Sequence, residues 1–164
     1  MRKEKLFFIT GAEGVGKSSI IEILKDKFGD MDVHDFDDVG VPDNPDLQWR
    51  HDTTLHWIKV AIENQKKGVS TIVAGLSFPN EVLMFEEYKE MDEILFCLLN
   101  VHESEREKRL CARGSAKDVI DDLCQLHDLR EKFKDVKFEN VVIDTSKLSI
   151  EEVGEEVVEW VGGL

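Results

Sequence analysis

Residues 6–18 run LFFITGAEGVGKS, an apolar segment that leads straight into a glycine-bounded turn. Leu6, Phe7, Phe8 and Ile9 form a continuous apolar run of the kind that makes a buried strand. Gly11, Gly16, Lys17 and Ser18 then satisfy the spacing G-x-x-x-x-G-K-[ST]. In that pattern backbone N–H groups surround phosphate oxygens, the lysine reaches the outer phosphates and the hydroxyl coordinates Mg²⁺. Gly11 and Gly16 permit positive φ angles that turn N–H groups inward, and Gly14 leaves room for a phosphate chain. Ala12, Glu13, Val15 and Ser19 complete the cradle, with Glu13 compatible with phosphate only if it points outward. Ile20, Ile21, Ile23 and Leu24 mark a following helix, whose unpaired N–H groups and dipole aim at the same anion. A chance match at ordinary glycine content arises on the order of once in a hundred chains of this size, and the strand before and helix after make accident rarer still.

The remaining composition bounds the answer. A chain of 164 residues supports one substantial core and is short for two domains, so a single domain over 1–164 is expected. Hydrophobic residues make up 41% and charged residues 34%, and no apolar run approaches the ~20 residues of a membrane helix. MRKEK is basic, but LFFI is too short for a secretory core, so a cytoplasmic protein without a membrane partner is expected. A net charge of −14 repels a polynucleotide backbone and disfavours nucleic acid as a partner. Cys97, Cys111 and Cys124 lack metal-site or redox-pair spacing and read as reduced packing residues.

Outward from the phosphate loop, strand-like and helix-like segments alternate. Residues 31–36 read as a second strand, 40–46 as a loop, and Leu47 to Lys67 as a long helix with Leu55, Ile58, Ala61 and Ile62 on one face, ended by Gly68. Residues 69–75 read as a third, fully buried strand, followed by a turn and a short helix containing Val82, Leu83 and Phe85. Residues 93–101 make a fourth strand. Ser104 with Glu107 and Ser115 with Asp118 signal two helix starts separated by Gly114. Residues 138–145 supply a fifth strand, and Ser149 with Glu152 caps a last helix with Ile150, Val153, Val157 and Val161 at helical spacing. Such alternation predicts a parallel sheet covered by helices on both faces.

Ligands of this architecture lie beyond the carboxyl ends of the strands. The second strand delivers Asp35, Asp37 and Asp38, carboxylates able to hold the water shell of Mg²⁺ and to accept a proton from an attacking hydroxyl. The plainer reading is a solvated acidic turn. Beyond the fourth strand, Arg106, Arg109 and Arg113 recur at offsets of three and four and share a helix face suited to phosphates. Against that, Glu105 and Arg109 have the spacing of an ordinary surface pair. Gly75 either lets an acceptor approach the backbone or marks a tight turn. Trp57 reads as a core aromatic, and the scattered histidines as structural.

Taken together, GAEGVGKS, the carboxylates closing the second strand, RLCARG after the fourth and VIDTSKLS near the end resemble the small P-loop kinases, which include nucleoside and nucleotide kinases and shikimate kinase. More narrowly, DFDDVGVP followed by WRHDTTLHW is similar to little-characterised bacterial members of that group. The resemblance implies an α/β, three-layer P-loop NTPase fold with a five-stranded parallel sheet in the order 2-3-1-4-5. It implies that Arg109 and Arg113 belong to a lid, here short and spanning about 104–134, and that Asp144, Thr145 and Ser146 lie beside the adenine. It places acceptor-binding groups at Trp49 and Arg50, and assigns the acceptor hydroxyl to Asp35 and Asp37, with Asp37 the preferred base. The third strand ends in Ala74-Gly75 where many P-loop proteins carry a magnesium-holding aspartate, which leaves Asp35 with Ser18 as the metal-side pair.

The expectation is therefore a Mg²⁺-dependent ATP phosphotransferase acting on a small hydroxyl- or phosphate-bearing metabolite, a nucleoside or nucleotide. Lys17, Asp37, Arg109 and Arg113 would carry the chemistry. Its main rival is a regulatory module that holds or slowly hydrolyses a nucleoside triphosphate without a dedicated acceptor, and a polynucleotide kinase is third.

Overall fold

The computed structural model describes residues 3–11, 16–112, 114 and 137–164. The apolar run after the basic start forms β1, Lys5–Thr10, and its last five residues are buried. Parallel strands β2 (Asp32–Asp35), β3 (Thr71–Ala74), β4 (Glu93–Asn100) and β5 (Glu139–Asp144) join it in the spatial order β2-β3-β1-β4-β5, as expected. Registry pairs Phe8 with Val73 on one side and with Phe96 on the other, so β1 is the middle strand. Buried on both faces, a middle strand of a parallel sheet has to be apolar at every position, which is why LFFI does not alternate.

Parallel neighbours require right-handed crossovers, and the sheet reverses its direction of travel after β2. The connection through α1 (Ile21–Lys27) therefore covers one face, where α1 packs against the last helix, α5 (Ile150–Gly162). Crossovers through α2 (Leu47–Lys66) and α3 (Pro79–Val82) travel the other way and cover the opposite face. Alternation along β1 serves both layers: Phe7 meets Trp160 of α5 edge-on at 5.5 Å, whereas Phe8 stacks on Phe96 at 5.1 Å. Helix α4, Glu103–Ala112, follows β4.

Several local expectations shift. On α2 the buried stripe is Thr53, Thr54, Trp57, Ile58, Ala61 and Ile62, and Leu55 is only half-buried. The threonines tolerate burial because their hydroxyls donate to the carbonyls of Trp49 and Arg50. Helix α3 stops at Val82, leaving Leu83 41% exposed, because the Met84 and Phe85 amides bond three residues back to Glu81 and Val82 in tight turns. Helix α4 opens one residue before Ser104, and the Arg106 amide closes its first turn on the His102 carbonyl. Ser149 and Glu152 do form the expected reciprocal cap, but Ile150 is exposed while Val153, Val157 and Val161 are buried. Cys97 is buried in β4, where burial pushes its thiol up to about 12. Cys111 is exposed, contrary to the packing role expected of it, and Cys124 lies outside the described residues.

Candidate functional site

The β1 strand ends at Thr10, whose buried hydroxyl donates to the Ser77 carbonyl at 2.6 Å and accepts the Ser77 amide at 3.0 Å. This clamp brings the segment after β3 against the start of the phosphate loop. Of the loop, Ala12, Glu13, Gly14 and Val15 lie outside the described residues. Gly16 takes φ +102°, a backbone conformation that disfavours any side chain. The Lys17 ammonium is buried and donates to the Gly11 carbonyl at 2.7 Å, folded back over its own loop. Ser18 and Ser19 are exposed in the 3₁₀ turn, Ser18–Ile20, that leads into α1.

Ser18 reaches the second strand. Its hydroxyl donates to Asp35 Oδ2 at 3.2 Å, while Asp35 Oδ1 accepts the Asp37 amide at 2.9 Å. Asp38 returns the favour to the Asp35 amide at 3.1 Å, so the acidic segment is a capped 3₁₀ turn, Phe36–Val39. Beneath it Phe36 is buried, and its carbonyl accepts the Trp57 indole N–H at 3.0 Å. Trp57 is thus the core residue expected. Gly75 explains why this turn sits where it does: a Cβ there would lie 2.1 Å from Phe36 Cβ. The space left by the missing side chain holds Phe36, which settles the packing role of Gly75, while its backbone still lines the cavity described next.

A cavity of about 440 Å³ joins these parts. Gly16, Lys17 and Ser18 of the loop, Asp35 and Asp37 of the acidic turn, Gly75 and Leu76 after β3, and Trp49 and Arg50 of α2 all line it. Trp49 is half-buried and meets Phe36 edge-on at 6.1 Å. It stands on the first turn of α2, fixed by Asp46, whose carboxylate accepts the Trp49 amide at 2.8 Å. Arg50 is paired with the buried carboxylate of Glu81 and lies 5.2 Å from the centre of the Phe78 ring. Glu81 also accepts the Phe78 amide at 3.3 Å. Sequence reading missed Glu81, although Phe78-Pro79-Asn80-Glu81 carries proline at the first helical position and glutamate two later, a recognisable helix-start signature.

The arginine helix divides. Arg109 Nη2 donates to the Thr145 carbonyl at 2.9 Å and Nη1 to its hydroxyl at 3.2 Å, while Nε faces Glu105 at 3.3 Å. Thr145 is fully buried. The Ser146 hydroxyl donates to Asp144 at 2.6 Å and accepts the His102 amide at 2.9 Å, tying the ends of β4 and β5 together. Arg109, Ser19, Ile20, Leu148 and Ile150 line a second cavity of about 420 Å³ that meets the first at Gly16. Arg106 is buried instead of sharing that opening, and Arg113 lies outside the described residues. The expected lid is described only to Ala112 and at Gly114.

Ser18 Oγ and the Asp35 carboxylate are hard oxygen donors, the kind Mg²⁺ takes, so the residues present fit the ion that a phosphate loop implies. Among the described residues no group of three or more His, Cys, Asp or Glu side chains is placed to hold a metal. An ion at Ser18 and Asp35 would complete its shell with phosphate oxygens and water. No described helix is long and apolar enough to cross a membrane.

No family model matches the chain. No curated relative matches it in sequence. Solved structures do match. A gluconokinase from Sinorhizobium meliloti superposes with a TM-score of 0.64 at 18% identity, over 99% of this chain and 94% of that one. A Bacillus subtilis protein in complex with phosphorylated GDP gives 0.63 at 17% identity, over 96% and 95%. Thymidylate kinase from Candida albicans gives 0.54 at 13% identity, over 98% and 92%. Strand order, the loop between β1 and α1 and these superpositions agree: the chain has the fold of the small P-loop kinases.

Proposed function

We propose that the chain is a Mg²⁺-dependent ATP phosphotransferase whose acceptor is a small hydroxyl-bearing metabolite, a nucleoside or nucleotide. The observation that carries this reading is the first cavity, which puts the phosphate-loop lysine, the Ser18–Asp35 pair, Asp37 and the Trp49–Arg50 wall in one continuous space. A protein that only held a triphosphate would need no second compartment lined by an aromatic and an arginine. The kinase fold supports the same reading.

Each residue then has a role. Lys17 trades the Gly11 carbonyl for phosphate oxygens and stabilises charge on the transferring phosphoryl group. Asp37 accepts the proton of the attacking hydroxyl. Arg109 and Arg113 neutralise charge that develops during transfer, and Thr145, buried and lining neither cavity, holds Arg109 in place. Mg²⁺, when bound at Ser18 and Asp35, supplies charge neutralisation at the phosphate oxygens. Trp49 and Arg50 orient the acceptor, so catalysis is mainly positioning and electrostatics.

The test is ADP release with Mg²⁺, ATP and a broad acceptor panel. A kinase releases ADP much faster with its acceptor present. Lys17→Ala should lower that rate about 100- to 1000-fold, the scale of losing one transition-state charge partner, with the thermal midpoint nearly unchanged. A low rate that no acceptor raises would favour the regulatory module, and full activity in Lys17→Ala would overturn the lysine's role.

A further inference from the structure

The α2 side of the first cavity carries information about the charge of its occupant. A nucleoside monophosphate or a sugar acid presents an anion, which binds where a cation with unclaimed charge awaits it. Among the described residues lining this cavity the cations are Lys17 and Arg50. Lys17 belongs to the phosphate end, bonded to the Gly11 carbonyl. Arg50, on α2, is the other described cation, and the carboxylate of Glu81, buried and unable to turn to water, is paired with it.

Glu81 is held in place twice over, by the Arg50 guanidinium and by the Phe78 amide, and the Phe78 ring lies under the guanidinium. Such a pair is electrically neutral as a unit. An acceptor phosphate or carboxylate reaching Arg50 would bring a second anion beside a buried first one, a like-charge juxtaposition in a medium that screens poorly. Asp35 and Asp46 line the same cavity and add to the repulsion. The paired arginine nevertheless stays rigid and keeps N–H donors for neutral oxygen acceptors. The apolar lining residues Trp49, Val41, Leu47 and Leu76 suit a flat ring.

We infer that the acceptor is an uncharged, nucleoside-like compound, discriminated from nucleotides and sugar acids by the Arg50–Glu81 pair. This rests on the kinase reading of the same cavity and narrows its acceptor from nucleoside or nucleotide to nucleoside. Glu81 is a positioning residue: it fixes Arg50 and cancels its charge, and touches neither phosphate nor the reacting hydroxyl.

Two readouts test it on the full chain. In ADP release with Mg²⁺ and ATP, purine and pyrimidine nucleosides should exceed their 5′-monophosphates, gluconate and neutral hexoses by at least about tenfold in kcat/KM. In calorimetric titration with Mg²⁺ and a non-hydrolysable ATP analogue, the same nucleosides should bind more tightly than the same monophosphates. Glu81→Gln, which leaves the guanidinium charge uncancelled, should shrink the nucleoside-to-monophosphate ratio about tenfold in both readouts; where that variant does not fold, the wild-type ranking decides alone. Monophosphates or sugar acids ranking first overturns the inference and leaves the kinase reading standing, as does a hexose ranking first. If no acceptor speeds ADP release, the kinase reading falls, and the titration still decides the charge of the occupant: nucleoside binding upholds it, and tighter monophosphate binding or none of either overturns it.

Discussion

The two ends of the site hold their arginines in opposite ways. At the end proposed for the nucleotide, Arg109 rests mainly on neutral oxygens, the carbonyl and hydroxyl of Thr145, with a half-exposed Glu105 beside Nε. At the end proposed for the acceptor, Arg50 is paired with a buried carboxylate. Hydrogen bonds to neutral oxygens exchange for phosphate oxygens at small net cost, whereas separating a buried ion pair strands a charge. The contacts of Arg109 are therefore suited to exchange and the Arg50–Glu81 pair to staying fixed. In the proposed phosphoryl transfer, that division would leave one cation free to shift onto phosphate while the other holds its position.

The sharpest way to break this contrast is Arg50→Met, which removes the partner of Glu81. We expect a loss of about 3 kcal/mol in urea denaturation, the cost of an unpaired buried carboxylate. A loss near zero would mean that Glu81 is not held as an ion. Next in size, Gly75→Ala drives a methyl into Phe36, and about 1–3 kcal/mol of destabilisation should follow. Since Phe36 carries the acidic turn, acceptor KM should rise in the same variant. By comparison Arg109→Met should change denaturation by less than about 1 kcal/mol and raise the KM for ATP. A large stability loss there would erase the distinction between the two ends.

The smallest effect concerns Asp32, at the start of β2. Burial raises its pKa, but the neighbouring His34 ring, the Asn64 amide at 2.7 Å and Lys67 more than offset this and hold it below its ordinary 3.8. A carboxylate lowered in the folded state stabilises above its unfolded pKa, and that contribution disappears as pH falls through the folded value. Asp32→Asn should therefore cost a little stability at neutral pH. The wild-type advantage should shrink below 3.8 in denaturation curves taken down the pH scale. An advantage constant with pH would assign the effect to packing instead.

The sheet was legible from residue order because its causes are local. A buried parallel strand needs an unbroken apolar run and a helix end needs a cap, and both are short-range patterns written at 6–9, 71–74, 93–100 and 149–152. Lys17, Ser18, Asp35, Asp37, Trp49 and Arg50 were also legible as candidates, and they line one cavity. Arg109 and Thr145, expected near one nucleotide from different segments, are in direct contact. Less legible was anything set by a partner distant in sequence. Among the described residues, Leu55 and Cys111 carry apolar labels but are, respectively, only half-buried and exposed, and periodicity does not know where a neighbouring layer ends.

Residue order alone carried the G-x-x-x-x-G-K-S motif, the strand and helix alternation and the chemical types gathered at the strand ends, since each depends on residues within a few positions of one another. Only the tertiary structure decided what those groups are bonded to. Glu81 lies 31 residues from Arg50 and Phe36 lies far in sequence from Gly75. Whether a guanidinium is available to an anion, or a glycine to a ligand, depends on which atoms crossovers bring within a few ångströms, and spacing along the chain does not encode that distance.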